Sequence, residues 1–160
     1  MPGGDQGPGV ERAGPTDLDH LVALMTEFYA EADFRLNPVR AAAAFRTLLE
    51  RDELGGVWLL RSGGALAGYV ALTFCWSLEY GGRCAYVDDL FVRRDFRRRG
   101  VGGAALARVR AECEALGIRA IHLEVGREND AAQSVYRAAG FADVDRQLLT
   151  LPLLAPTHAE

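Results

Sequence analysis

Lysine is absent from this 160-residue chain; all 18 of its basic residues are arginine. A phosphate-binding loop of the Gly-x-x-x-x-Gly-Lys-Ser/Thr type is thereby excluded, because its lysine is the group that reaches the terminal phosphates. Cysteine is scarce as well. Cys75, Cys84 and Cys113 are odd in number and show no Cys-x-x-Cys spacing, so neither a disulfide framework nor a zinc site is expected. Long hydrophobic runs are also missing. The longest mostly apolar stretch, Ala65 to Trp76, falls well short of the roughly 20 residues a membrane helix needs. The opening stretch MPGGDQGPG lacks the apolar segment of a secretion signal. These absences predict a cytoplasmic protein that does not engage the membrane. The length predicts one domain, over residues 9–155, with a disordered tail at 1–8 and a loose end at 156–160.

Negative charge prevails overall, at −4, but its distribution is uneven. The heptad RRDFRRR, residues 93–99, holds five arginines and one aspartate, which leaves the rest of the chain at −8. A nucleic-acid contact is disfavoured, because the basic cluster adjoins a glycine-rich segment instead of spreading over a face.

Apolar periodicity orders the remainder. Thr16 and Asp17 open a helix whose stripe is Leu18, Leu21, Val22, Met25 and Phe28. Pro38 opens a second helix that buries Phe45, Leu48 and Leu49. Two strand runs, Gly56 to Arg61 and Ala65 to Trp76, flank a glycine turn and predict a hairpin. A third run, Cys84 to Val92, carries two adjacent aspartates, unusual in a strand. Then follow a helix from Gly102 to Leu116, a strand from Ile118 to Val125, a helix from Asn129 to Ala139, and one or two closing strands within FADVDRQLLTLPL. With a short strand near Val10, the fold class is α/β, a mixed sheet with helices on both faces.

Arg97 to Gly103 join full positive charge to bare backbone at a helix start. The first N–H groups of a helix have no intrahelical acceptor and lie at the positive end of its dipole, so anions bind there. Glycines at 100, 102 and 103 let a pyrophosphate approach those groups. GVGGAA also matches the dinucleotide fingerprint formally, but Arg93 to Arg99 intervene where that fingerprint follows its strand almost at once.

VDDLFVRRDFRRRGVGGAAL resembles the acyl-CoA motif of the GNAT superfamily of N-acyltransferases, Arg/Gln-x-x-Gly-x-Gly/Ala after a strand, with Arg97, Gly100 and Gly102 in the motif positions. NDAAQSVYRAAGF is similar to a second family segment, in Asn129, Ala132, Tyr136, Gly140 and Phe141. The resemblance spans residues 8 to 152. It implies a GNAT fold with a mostly antiparallel sheet of six or seven strands and a splayed parallel pair that binds acetyl-CoA. It further implies cofactor contacts from Leu90, Phe91, Val92, Arg97, Arg98, Arg99, Gly100, Val101, Gly102, Gly103, Asn129 and Tyr136. On that reading an acetyl group passes from acetyl-CoA to a primary amine of a small molecule, polyamine or amino-acid-like, by direct attack in a ternary complex. A protein N-acetyltransferase, or a binding module without turnover, are the alternatives. Homodimers are common in the family.

An alkyl amine is charged at neutral pH, so a base must free its lone pair. Asp88 or Asp89 is the candidate, directly or through a water; alternation along a strand points them to opposite faces unless a bulge intervenes. Asp88 ranks first by resemblance. Tyr136 matches the proton donor to the departing thiolate, and Asn129 suits either a cofactor contact or a helix cap. Phe28, Tyr29, Glu31, Trp76, Glu79 and Tyr80 fall where the family walls its acceptor site and suit an organic cation, though ordinary packing accommodates them too. His122 reads as structural, and His20 and His158 carry no partner pattern.

Overall fold

The computed structural model describes residues 7–158. The first six residues of the expected tail and the last two of the loose end lie outside the described residues. Strand β1 (Gly9–Arg12) leads to helices α1 (Leu18–Ala30) and α2 (Pro38–Glu50). Strands β2 (Gly55–Ser62), β3 (Ala65–Ser77) and β4 (Gly82–Val92) follow, then α3 (Val101–Ala115), β5 (Ile121–Leu123) and α4 (Asp130–Ala138). The start of α2 has a clear local cause. Pro38 occupies the first helical position, where its missing N–H costs nothing, and the Asn37 side chain accepts from the N–H groups of Val39 and Arg40 at 3.1 and 3.2 Å.

The strands lie in sequence order, β1 to β5, antiparallel throughout except for the parallel pair β4–β5. Helices cover both faces, so β2 and β3 are buried on both sides and read as nearly continuous apolar runs. Against one face, Leu21, Leu24 and Phe45 of α1 and α2 pack on Val57, Leu59, Tyr69 and Phe91. Against the other, Val101, Leu106 and Val109 of α3 pack on Trp58, Leu60, Val70, Leu72 and Val87. No helix of the described residues is long and apolar enough to cross a membrane.

The sheet has five strands among the described residues, not six or seven. The closing strands expected within residues 141–153 do not form, and β5 is shorter than the predicted Ile118 to Val125. Strand-forming composition makes a strand only once it pairs with an edge, and this segment pairs with none among the described residues, although polar contacts hold one residue of it and the chain just beyond it. Arg146 pairs with Glu79 at 2.8 Å, Arg40 donates to the carbonyls of Ala155 and Pro156, and the Asn37 N–H donates to the Thr157 carbonyl at 2.8 Å. Leu149, Leu151, Leu153 and Leu154 are consequently more than 80% exposed.

Candidate active site

Strands β4 and β5 pair only from Ala85–Ile121 to Val87–Leu123, whereas β4 runs on to Val92 with β3 on one flank and, among the described residues, no strand on the other. The unpaired flank is a slot for an extended group carrying amides of its own. At its inner end the β3–β4 register shifts: Ala71 faces Asp89 and Leu72 faces Val87, so Asp88 is an extra residue. This bulge cancels the alternation that would have sent the two aspartates to opposite faces. Burial, then the charges of Asp89 and Asp88, push the Tyr29 phenol of α1 up to about 12, so both carboxylates act on the α1 side of the sheet.

Asp89 is half-buried and accepts a 2.8 Å hydrogen bond from the hydroxyl of the fully buried Tyr69. Burial raises its carboxyl to about 7; the neighbouring Asp88 adds to the rise and the Tyr69 hydroxyl opposes it. Asp88 is exposed on the bulge, and its carboxyl too is held above the usual range by the protein around it. Tyr136 lies half-buried on α4, edge-on to Phe141 at 6.0 Å. Burial and then Asp89 raise its phenol, so the hydroxyl keeps its proton at neutral pH.

Beyond Val92 the chain makes one 3-10 turn, Arg94–Phe96, and enters α3 through Arg98 and Gly100, both with positive φ at 61° and 75°. Gly100 bears this without strain, while Arg98 is an L-residue in the left-handed region, held there by the loop. From Arg98 to Gly103 no backbone N–H has a protein acceptor among the described residues, and the α3 start has no side-chain cap. A Cβ on Gly103 would meet nothing within 4 Å. Six unpaired donors at the positive end of a helix dipole therefore border open space, in a loop that also carries the exposed Arg98 and Arg99, the latter with its guanidinium 5.6 Å over the Phe96 ring.

Arg97 is differently engaged. Its guanidinium binds both oxygens of Glu31 at 2.7 Å and the Val92 carbonyl at 2.8 Å, so neither Arg97 nor Glu31 offers a free charge and the Val92 carbonyl is taken. Arg93 is held likewise by Glu27, at 2.7 and 2.9 Å. Asn129 caps α4, accepting from the Ala132 N–H at 3.1 Å. Val101 and Phe91 are core residues; Phe91 stacks on Phe28 at 5.2 Å, while Leu90 and Val92 are half-buried against the α3 side. Of the acceptor candidates, Tyr29 adjoins the carboxylates. Trp76, Glu79 and Tyr80 cluster at the far end of the β3–β4 hairpin, with Trp76 74% exposed and Glu79 paired to Arg146.

Tyr69 and Tyr86 escaped the sequence reading, and the place of His122 was not legible in it. Tyr69 could have been suspected, since a phenol in an otherwise apolar strand needs a hydrogen-bond partner once buried. Tyr86 and His122 could not. They face each other across the parallel pair at 5.1 Å, with Tyr80 5.6 Å from His122, forming a partly exposed aromatic shelf where His122 had read as structural.

A splayed parallel pair followed by an N–H cradle defines an acyl-CoA transferase fold, and residues 19–141 match the Acetyltransferase (GNAT) family, to which the chain belongs. It is 31% identical over 130 residues to an uncharacterised N-acetyltransferase of Methanocaldococcus jannaschii, covering 79% of this chain and 57% of that one. The chain thus spans little more than half the length of that curated relative. An integron cassette protein from the mobile metagenome of Cole Harbour Salt Marsh is 42% identical, with TM-score 0.87 over 94% of this chain and 93% of its own. The aminoglycoside N-acetyltransferase AAC(6')-Iy in complex with CoA shares the fold at 20% identity, with TM-score 0.78 over 96% of this chain and 99% of that one.

Proposed function

We propose that this chain is an acetyl-CoA-dependent N-acetyltransferase acting on a primary amine of a small molecule by direct attack in a ternary complex. The observation that carries the reading is the carboxylate pair lying at the inner end of a slot whose outer end is the unpaired N–H cradle. The residues present fit the coenzyme: Arg98 to Gly103 would hold its diphosphate, and the free flank of β4 from Leu90 would pair with its pantetheine amides. Once bound, acetyl-CoA supplies the acetyl thioester.

The chain's own groups do the rest. One carboxylate of the pair removes a proton from the acceptor ammonium, restoring the roughly 4 kcal/mol of reactivity that an amine titrating near 10 lacks at neutral pH. Tyr136 keeps a proton on its hydroxyl for the departing sulfur. Trp76, Glu79 and Tyr80, with Tyr86 and His122, offer aromatic faces and a carboxylate to an organic cation. We also propose a homodimer through the segment after α4, whose leucines are exposed while the outer edge of β5 has no partner among the described residues.

The test is thiol release from acetyl-CoA with the purified chain and a panel of polyamines, amino acids, aminoglycosides and peptide amines. Release with a small amine supports the reading. Release with peptides alone makes it a protein acetyltransferase, and coenzyme binding without any release makes it a binding module.

A further inference from the structure

We infer that the two adjacent carboxylates divide the work on the acceptor: Asp88 holds the cationic amine at the cleft surface, and Asp89, fixed by the Tyr69 hydroxyl, takes its proton. The inference rests on the amine-acetyltransferase reading and assigns the roles within it.

The bulge puts two like acids on one side of the sheet in unlike surroundings. Asp88, exposed and without a hydrogen-bond partner among the described residues, suits a counter-ion for an arriving ammonium. Asp89 is recessed. Its Oδ2 is held at 2.8 Å by Tyr69, while Oδ1 has no protein partner among the described residues and is the atom left to take a proton. The Tyr69 ring cannot wander, being fully buried and edge-on to Phe45 at 5.8 Å and to Phe91 at 6.4 Å. Tyr69 is a positioning residue, since it acts through Asp89.

The groups that act on Asp89 are the Tyr69 hydroxyl of β3 and Asp88 beside it, and its charge is felt in turn by Tyr29 of α1 and Tyr136 of α4, so its titrating neighbours are all phenols or acid. The nearby arginines are occupied: Arg93 by Glu27 and Arg97 by Glu31. Among the described residues no cation therefore locks Asp89 in its ionised form, and burial raises its carboxyl to about 7, where a base that must both take and release protons works best. In the step itself the N–H bond of the ammonium breaks, the proton goes to Oδ1 and onward to solvent, and the nitrogen keeps the electron pair for the acetyl carbon.

The experiment uses the full chain and the variants Tyr69→Phe, Asp88→Asn and Asp89→Asn. Aspartate carboxyl signals are titrated by carbon NMR, and the pH profile of kcat/KM is recorded with an amine identified by thiol release. Losing one hydrogen bond to the carboxylate in Tyr69→Phe is expected to move both the Asp89 midpoint and the acid limb upward by about one pH unit. Activity at pH 7 then falls about fivefold and returns above pH 8. Asp88→Asn is expected to raise KM about tenfold with kcat nearly kept, and Asp89→Asn to remove at least about 100-fold in kcat. An Asp89 midpoint unmoved in Tyr69→Phe, or kcat lost in Asp88→Asn and kept in Asp89→Asn, overturns the assignment. A shifted midpoint with no amine acetylated defeats the acetyltransferase reading, whereas turnover with an unmoved acid limb defeats the division of roles.

Discussion

Gly103→Ala separates a glycine that fills a helix from one that clears a path for an anion. Gly103 sits in the first turn of α3, exposed, in helical conformation, and an added Cβ meets no protein atom within 4 Å. On helix propensity alone, alanine stabilises the fold by about 0.5–1 kcal/mol, which for a chain of this size raises Tm by roughly 1–4 °C. Yet Cβ bonds tilt toward the helix N-terminus, so the new methyl enters the space into which the N–H groups of 101–103 point. If the diphosphate occupies that space, at least one charge-assisted hydrogen bond is lost, about 1.5 kcal/mol or tenfold in Kd. Stability and affinity should move in opposite directions. Calorimetry measures both: a thermal scan of the apo-protein and a titration with coenzyme A. A higher Tm with unchanged affinity would refute the cradle, and with it the placing of the coenzyme.

Tyr136→Phe is expected to lower kcat about 100-fold while coenzyme affinity by titration calorimetry stays within about twofold. Asp89→Asn bears on stability as well as rate. The folded carboxyl titrates near 7, well above its unfolded value, so native protein holds the extra proton between about pH 4 and 7 and loses stability as pH rises through that window. The Asn variant lacks this loss; by urea denaturation it should be more stable than the parent at pH 8, by on the order of 2 kcal/mol, and no more stable at pH 4. Sedimentation of the full chain should give twice 17.4 kDa, and Leu149→Asp should return it to the single-chain mass; a parent chain that stays single at all concentrations counts against the dimer.

Local chemistry was legible in the sequence, and pairing over distance was not. The helix start at Pro38, that of α3 to within one residue of the expected Gly102, and the β2–β3 hairpin depend on residues a few positions apart, so composition and spacing revealed them. The segment after Gly140 has the composition of strands, but a strand exists only against an edge, and residues 141–153 pair with none among the described residues. Arg97 read as a phosphate ligand because its partner, Glu31, lies 66 positions earlier on another element. The carboxylate pair was visible as a pair. That both members share a face follows from a register shift against Ala71 and Leu72, which no pattern within β4 encodes.

The paired struts Glu27–Arg93 and Glu31–Arg97 join the last turn of α1 and the residue that caps it to the segment that leads into the cradle. Tyr29 of α1 also adjoins the carboxylates, and Phe28 stacks on Phe91 of β4, so one helix touches both halves of the cleft. An acceptor that displaces α1 must tug the anion loop, and whatever factor it thereby imposes on coenzyme affinity, the coenzyme returns in full to the acceptor. Any coupling between the two ligands that ran by this route would pass through four side chains set apart from the carboxylates.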